Sequence, residues 1–549
     1  KGLATYLLYR NNSPQVDAFS PDNHVVVALG PAVNTKVWGS SRYGLFTRSP
    51  LTGIYAESYS GGTVAEFMGA AGYDAFVLRG KASSPTVPEV TDQGVVFHDA
   101  RDIWGKNVYE SQDAVQDMIG DKAGVIVIGP AGENKVRFAL VANNYWRCAG
   151  RAGVGAVLGA KNIKGMAFRG SAEKEIAEPS ILQELYSQVN AGRKENPVIQ
   201  GFKTFGTPAL VAVINKIGAF PTRYWSKGSL DGWENLTAEA LHKQCDVRPH
   251  ACAKCLMACG RLAEVKKGRH KGLKIEGPEF ETIYAFGGLC EITEIEEIIY
   301  LNDICDRLGI DTITGGNLAA FTIEASRRGK IKENYDYGNV DQIASLLHDI
   351  TYRQGIGDVL AEGIQHAARE WGMEDVAIHV KGMEPSAYDP RVLKGMGLAY
   401  ATSDRGACHL RCTVFKAELT GQIAPDEIEG KAEIFLDYED RLTLHDALIT
   451  CRFYRDIYLW DGLAKIIHGT MGMKLDHEGL KKIAANIRNF TQRFNLREGI
   501  SKKDDDLPKR FFTEPISGGK IIKPKELERM LEDYYRLRGW DNQGVPPGE

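Results

Sequence analysis

His24-Val25-Val26-Val27-Ala28-Leu29-Gly30 is a short run of β-branched and aliphatic residues closed by glycine, and Gly124-Val125-Ile126-Val127-Ile128-Gly129 has the same form farther along. Runs this short, flanked by Gly, Asp and Pro, read as buried strands rather than helices. Tyr43-Gly44-Leu45-Phe46-Thr47, Ala75-Phe76-Val77-Leu78-Arg79-Gly80 and Val136-Arg137-Phe138-Ala139-Leu140-Val141 extend the pattern, so residues 1–170 are expected to form a sheet-built domain. From Pro179 the apolar period lengthens. Residues 181–189 have helical spacing, and 292–308 place Ile295, Ile298, Ile299 and Ile304 on one face before Gly309 stops the helix. Helices are also expected at 442–458, 480–494 and 524–537. The fold class is therefore α+β: a β-rich domain over 1–170, then mostly helical domains over 171–380 and 381–549.

The chain has 549 residues, enough for about three domains, and 43% hydrophobic with 25% charged residues is the composition of a folded globular protein. Lys+Arg number 67 against Asp+Glu 71, a net charge of -4 without long runs of one sign, which argues against a nucleic-acid binder. The longest apolar runs are too short to cross a bilayer, and no leader pattern precedes a small-residue cleavage site. The first residue is Lys1 rather than Met and the text enters mid-pattern, so further residues are expected before it. Ten cysteines are too sparse for a disulfide framework, and three of them cluster, which points to metal ligation in a reducing compartment, the cytoplasm.

That cluster is Cys252-Ala253-Lys254-Cys255-Leu256-Met257-Ala258-Cys259. Three thiolates at this spacing, in a loop or one helical turn, can converge on one soft metal centre, with a fourth ligand from elsewhere. The spacing leaves open an iron–sulfur cluster, a zinc site completed by Cys245 or His250, or inert thiols. Gly150-Arg151-Ala152-Gly153-Val154-Gly155-Ala156-Val157-Leu158-Gly159-Ala160-Lys161 is neither a Walker loop nor a dinucleotide fingerprint. It is either an anion cradle, with Arg147, Arg151 and Lys161 adding charge, or a tight packing turn. Two clusters mix residue types that active sites favour, Glu276-Gly277-Pro278-Glu279-Phe280-Glu281-Thr282 and Ser403-Asp404-Arg405-Gly406-Ala407-Cys408-His409. Finally, Asp306-Arg307-Leu308-Gly309-Ile310-Asp311-Thr312 is echoed by Asp446-Ala447-Leu448-Ile449-Thr450-Cys451-Arg452, each near the end of an expected helix.

Taken in order, these segments resemble the aldehyde:ferredoxin oxidoreductase family of tungsten–bispterin enzymes. Ser40-Ser41-Arg42-Tyr43, Ser49-Pro50-Leu51-Thr52-Gly53 and Ser60-Gly61-Gly62 look like its first pterin segment, and Gly129-Pro130-Ala131-Gly132-Glu133-Asn134 with residues 147–164 like its second. The cysteines, 276–282, 306–316, Tyr388-Asp389-Pro390-Arg391 and 405–409 continue the match to about Trp540. The resemblance implies a β saddle under two molybdopterin-type ligands carrying tungsten or molybdenum, closed over by two helical domains. It assigns Asp306 and Asp311 to one pterin and Asp446 to the other, and makes Cys451 the fourth ligand of a [4Fe–4S] cluster with Cys252, Cys255 and Cys259. Arg42 would lie between cluster and pterin, Gly61 and Arg147 would bind the pterins from their segments, and the carbonyls of Tyr59 and Cys148 would hold a Mg2+ bridging the pterin phosphates.

By the same carry-over, Glu281 is the general base and His409 the hydrogen-bond donor to an aldehyde oxygen. The implied activity is reversible oxidation of aldehydes to carboxylic acids, with electrons leaving for ferredoxin or an iron–sulfur partner subunit. Alternatives are a relative that reduces a thioester-activated or other low-potential substrate in a larger complex, and a non-enzymatic zinc or electron-transfer subunit. The sequence departs from the family pattern at Tyr59, where Asn is usual, and at Ile449-Thr450, where Gly-Leu is usual. Where some relatives carry a metal-binding Glu-x-x-His, this chain has Tyr300 and Asp303, so no bridging iron is expected and the dimer of those relatives is not implied; a homo-oligomer would form without it.

Overall fold

The computed structural model describes residues 1–548. β1 (Val25–Leu29) is the valine-rich run, and all five of its residues are buried. Successive side chains of a strand point to opposite faces. Val25, Val27 and Leu29 therefore pack with Val64 and Met68, while Val26 and Ala28 pack with Ala4, Leu8 and Phe494 from the other side. Each such side chain contributes about 1.5–3 kcal/mol of burial. β2 (Tyr43–Arg48), β3 (Tyr55–Ser60) and β4 (Ala75–Leu78) complete an antiparallel sheet in the order β3-β2-β1-β4, with Val27 opposite Leu45 and Leu45 opposite Ser58.

The second sheet contains β5 (Thr86–Thr91), β6 (Gly94–Asp99), β7 (Gly124–Val127), β8 (Val141–Asn143), β9 (Arg147–Ala149) and β10 (Gly165–Phe168), in the order β6-β5-β10-β7-β8-β9. β7 is fully buried like β1. The strand expected over 136–141 is not formed. The Val136 and Ala139 amides close a turn on Ala131 and Val136, and Val136 and Phe138 serve the core shared with the helical part; only Val141 onward is strand.

The helices after Pro179 include Pro179–Ala191, Ile295–Leu308, Thr312–Arg327, Lys431–Ala447, His477–Arg497 and Pro524–Arg538. The helix expected over 442–458 ends at Ala447, where the Leu448 carbonyl packs against Gly30 and Ile449 takes left-handed backbone (φ 48°). The middle region also contains a three-stranded sheet, β11 (Cys245–His250), β12 (Gly260–Val265) and β13 (Lys274–Glu276), which the helical reading missed. Its strands are short and polar on one face, and Pro249 sits within one of them, so they lack the apolar run that marked β1. Among the described residues no single helix is long and apolar enough to cross a membrane.

Candidate active site and cysteine cavity

β11 and β12 form a hairpin closed at His250 and Gly260, and the cysteine motif is its loop. Lys254 and Ala258 adopt left-handed backbone there (φ 49° and 42°), which lets so short a segment curl back on itself. The loop is fastened to the N-terminal sheet and to the turn at 448–451. Ala253 N–H donates to the Gly62 carbonyl (3.1 Å), Gly39 N–H to the Lys254 carbonyl (2.8 Å), and Cys451 N–H to the Gly39 carbonyl (2.9 Å). Cys252, Cys255, Cys259 and Cys451 consequently border one cavity of about 280 Å3, together with Arg42, Tyr59, Gly61, Arg147 and Cys148. A single ion or water needs only about 30 Å3, so this space suits a group of several atoms.

Two glycines show how closely the backbone approaches. A Cβ at Gly61 would lie 2.7 Å from Cys252 Sγ, and one at Gly39 would lie 2.6 Å from the Tyr454 ring. Neither residue named above as the fourth ligand of a zinc site borders this cavity. Cys245 lies opposite Val265 at the far end of the hairpin, and His250 Nδ1 is 3.0 Å from Glu276 Oε2. Burial pushes the Cys255 thiol up to about 11, with Cys451 and Cys252 adding to the effect. Four thiols so placed would be ionised by a metal centre.

The glycine-rich stretch is a short turn leading into a buried helix, Val154–Ala160, whose glycines allow close packing. A Cβ at Gly155 would collide with the Leu140 carbonyl and one at Gly159 with the Gly132 carbonyl, and Lys161 Nζ donates to the carbonyls of Pro21 and Gly80 (2.9 Å each). Arg147 is ion-paired with Glu276. Arg151 reaches inward instead: its Nε is 2.9 Å from Asp311 Oδ2, and its Nη2 donates to the Glu384 carbonyl at 3.0 Å.

The two aspartate turns stand in different surroundings. Asp306 is buried, takes a hydrogen bond from Asn302 (2.7 Å) and is pushed well above the usual carboxylate range by burial and by Asp303 and Glu276. Asp446 is equally buried, but Arg411 (2.9 Å) and Arg452 outweigh the burial and hold it down to about 2. Asp311 caps the next helix through the Ile313 N–H (3.1 Å). Tyr59 has both ends engaged, its hydroxyl donating to Glu57 (2.7 Å) and its carbonyl accepting from Arg42 (3.4 Å).

Glu281 lies in a helical turn that runs directly into a π-helical segment, Ile283–Gly288. Such segments re-aim a side chain within a helix and recur at functional sites. His409 comes from the loop after the helix Lys394–Thr402. Glu281 Oε2 accepts the Ala387 N–H at 3.0 Å, and its Oε1 lies 3.5 Å from His409 Nε2. Burial raises the Glu281 carboxyl to about 8, against the opposing Ala387 bond and Arg151, and burial with nearby arginines pushes His409 far below its usual value. The Tyr388 ring stacks on Phe415 (4.0 Å) and lies 5.6 Å from His409.

Several buried polar atoms facing this interior have no partner: Glu281 Oε1, His409 Nδ1, Glu384 Oε1, Arg411 Nη2 and Arg452 Nη1. Buried groups left unsatisfied cost about 1–3 kcal/mol each, and a ligand with anionic oxygens to accept from Arg411 and Arg452 and N–H groups to donate to the carboxyl oxygens would supply the missing bonds. The residues present thus fit a phosphorylated pterin group. Sequence reasoning did not single out Glu384, Arg411 and Arg452. Their one signal was position, beside His409, Cys451 and the Tyr388 segment.

Comparison with known proteins agrees along the whole chain. Residues 1–170 match the family model "Aldehyde ferredoxin oxidoreductase, N-terminal domain", and residues 184–549 match "Aldehyde ferredoxin oxidoreductase, domains 2 & 3". The tungsten-containing aldehyde ferredoxin oxidoreductase of Pyrococcus abyssi is 35% identical over 569 aligned residues, spanning 100% of this chain and 93% of that protein. The "Aliphatic sulfonate oxidoreductase, WOR-like subunit" of Pyrococcus furiosus is 28% identical, over 100% of this chain and 91% of that one. In fold, the chain resembles the "Active site complex BamBC of Benzoyl Coenzyme A reductase", with a TM-score of 0.84 at 23% identity over 99% of this chain and 90% of that one. The chain belongs to the aldehyde ferredoxin oxidoreductase family.

Proposed function

We propose that this chain oxidises aldehydes reversibly to carboxylic acids at a tungsten–bispterin centre and passes the electrons through one [4Fe–4S] cluster to ferredoxin. The observation that carries the reading is the meeting of Glu281 and His409, 3.5 Å apart, each with an unpartnered atom in the interior flanked by the aspartate turns. Cys252, Cys255, Cys259 and Cys451 would hold the cluster, and the carbonyls of Tyr59 and Cys148 a Mg2+. Asp306 and Asp311 would hold one pterin and Asp446 the other, with Gly61 and Arg147 binding the pterins from their segments and Arg42 between pterin and cluster. When bound, the tungsten–pterin group supplies two-electron acceptance and the cluster supplies one-electron relay.

The residues themselves position and move protons. His409, kept neutral, donates a hydrogen bond to the aldehyde oxygen and polarises the carbonyl. Glu281, with its carboxyl raised to about 8, accepts the proton that water loses as it adds. The ten unpaired cysteines support a reducing compartment, the cytoplasm.

Because only ionised Glu281 can act as base, kcat/KM should rise with pH and level off above about 8. Glu281→Gln should cost about 10²–10⁴-fold in kcat and remove that ascending limb. His409→Asn should cost about 10²–10³-fold. Steady-state kinetics on samples with full tungsten and iron content test both; wild-type turnover in either variant would overturn the assignment.

A further inference from the structure

A second cavity, a surface groove of about 690 Å3, lies against the outside of the cysteine loop. Its sides are the segment carrying Thr35, Lys36 and Trp38 and the helix Pro179–Ala191, from which Gln183 and Tyr186 project; Lys254 forms its inner end. The Trp38 and Tyr186 rings stack within it at 5.1 Å.

The wall of this groove is also the wall of the thiol cavity. Trp38 and Lys254 face the groove, while their chain neighbours Gly39 and Ala253 border the four thiols. The two strips of backbone are joined by the Gly39 N–H to Lys254 carbonyl bond at 2.8 Å. One thickness of backbone therefore separates the bottom of the groove from the thiol cavity. Electron tunnelling weakens steeply with distance, so an acceptor gains most by docking where least protein intervenes.

The chemistry of the groove selects the acceptor. It is lined by two lysines and no carboxylate, although the chain as a whole carries a net charge of -4. Lys36 is exposed and bonds only to Gln183 Oε1 (2.5 Å), while Lys254 is paired at the rim with Glu66 (2.7 Å). The buried Trp38 indole N–H has no partner. A basic, aromatic-floored groove complements an acidic surface and steers it during encounter.

We propose that this groove is the docking surface for the electron acceptor, a small acidic iron–sulfur protein of the ferredoxin class. The inference rests on the function proposed above and identifies the partner's surface. Oxidation of one aldehyde with one water gives the carboxylic acid, two protons and two electrons. The two electrons therefore leave one at a time, to two one-cluster ferredoxins or to the two clusters of one two-cluster ferredoxin.

The test uses the purified holoenzyme and an oxidised bacterial two-[4Fe–4S] ferredoxin. Binding is measured by titration calorimetry, and aldehyde-dependent reduction is measured with ferredoxin and with methyl viologen, which needs no docking surface. Lys36→Glu combined with Gln183→Glu, both at exposed positions, should weaken ferredoxin binding at least tenfold and lower kcat/KM for ferredoxin by a similar factor. Viologen turnover and iron content should stay at wild-type values, and Lys520→Glu, an exposed change elsewhere, should alter nothing. Wild-type ferredoxin affinity in the double variant would overturn the proposal. So would a wild-type enzyme that reduces viologen but neither binds nor reduces the ferredoxin. Absence of viologen turnover in the wild type would instead overturn the aldehyde-oxidising reading on which the proposal rests.

Discussion

The chain leaves the helix Ile295–Leu308 and the helix Lys431–Ala447 by the same turn. In both, the third residue after the first aspartate has left-handed backbone, Gly309 at φ 81° and Ile449 at φ 48°. In both, the next amide reaches back to a residue in the last helical turn, Ile310 to Cys305 (2.9 Å) and Thr450 to His445 (2.9 Å). Each turn also lies against a glycine that ends a buried strand. A Cβ at Gly129 would lie 2.5 Å from the Leu308 carbonyl, and one at Gly30 would collide with the Leu448 carbonyl. The β-branched Ile449 accepts a conformation costing about 1–3 kcal/mol because its side chain is buried with Ala4, Val26 and Phe494.

Against this shared backbone the charges diverge. The first turn has two aspartates, Asp306 among other carboxylates and Asp311 against Arg151. The second has one aspartate clamped by Arg411 and Arg452, and a cysteine where the first has Asp311. One backbone device thus serves two environments, and the side chains at its ends decide what each can hold.

The sharpest way to break the comparison is Cys451→Asp, which makes the second turn end as the first does. Iron analysis should show the cluster lost or altered, with electron transfer to ferredoxin impaired, and Cys451→Ala, which offers no replacement ligand, should lose iron as well; full iron content in the alanine variant would show that Cys451 is no ligand. Next in size is Asp446→Asn, which leaves the buried Arg452 without its anion and Arg411 with Glu57 alone, and should destabilise by about 3–5 kcal/mol. Because the folded Asp446 titrates near 2, below the usual 3.8, its contribution is complete above about pH 4 and fades as pH falls through 2. The deficit of the variant in thermal unfolding should therefore be present at pH 7 and shrink toward pH 2.

The smallest effect belongs to Asp306→Asn. Asp306 is raised above 3.8 in the fold, so above that pH the unfolded chain binds fewer protons and this group lowers stability as pH rises. The neutral amide removes that cost, and the variant should unfold within about 1 kcal/mol of wild type or slightly above it at pH 7. A loss as large as that of Asp446→Asn would mean that Asp306 is ionised in the fold.

Much of this was legible beforehand because it follows local rules. The strands at 25–29 and 124–127 announce themselves by apolar runs, the helices at 295–308 and 477–497 by period, and the thiol loop by cysteine spacing. The misses have physical causes. Residues 136–140 are apolar because helices bury them, and no local signal distinguishes that from a sheet. The helix expected over 442–458 has the composition to continue but is stopped by tertiary packing, the Leu448 carbonyl against Gly30 and Ile449 buried in left-handed backbone.

What the sequence alone determined was the order of parts: a sheet-built first region, helices after it, three clustered thiols and a duplicated aspartate turn. Those depend on neighbours along the chain. The tertiary structure decided which distant residues meet: Cys451 with the hairpin loop, Glu281 with His409, and Arg411 and Arg452 with Asp446, whereas among the described residues no cation is ion-paired with Asp306. These depend on burial and on contacts between segments far apart in the chain, which set charge state and ligand geometry and leave no periodic signal in the sequence.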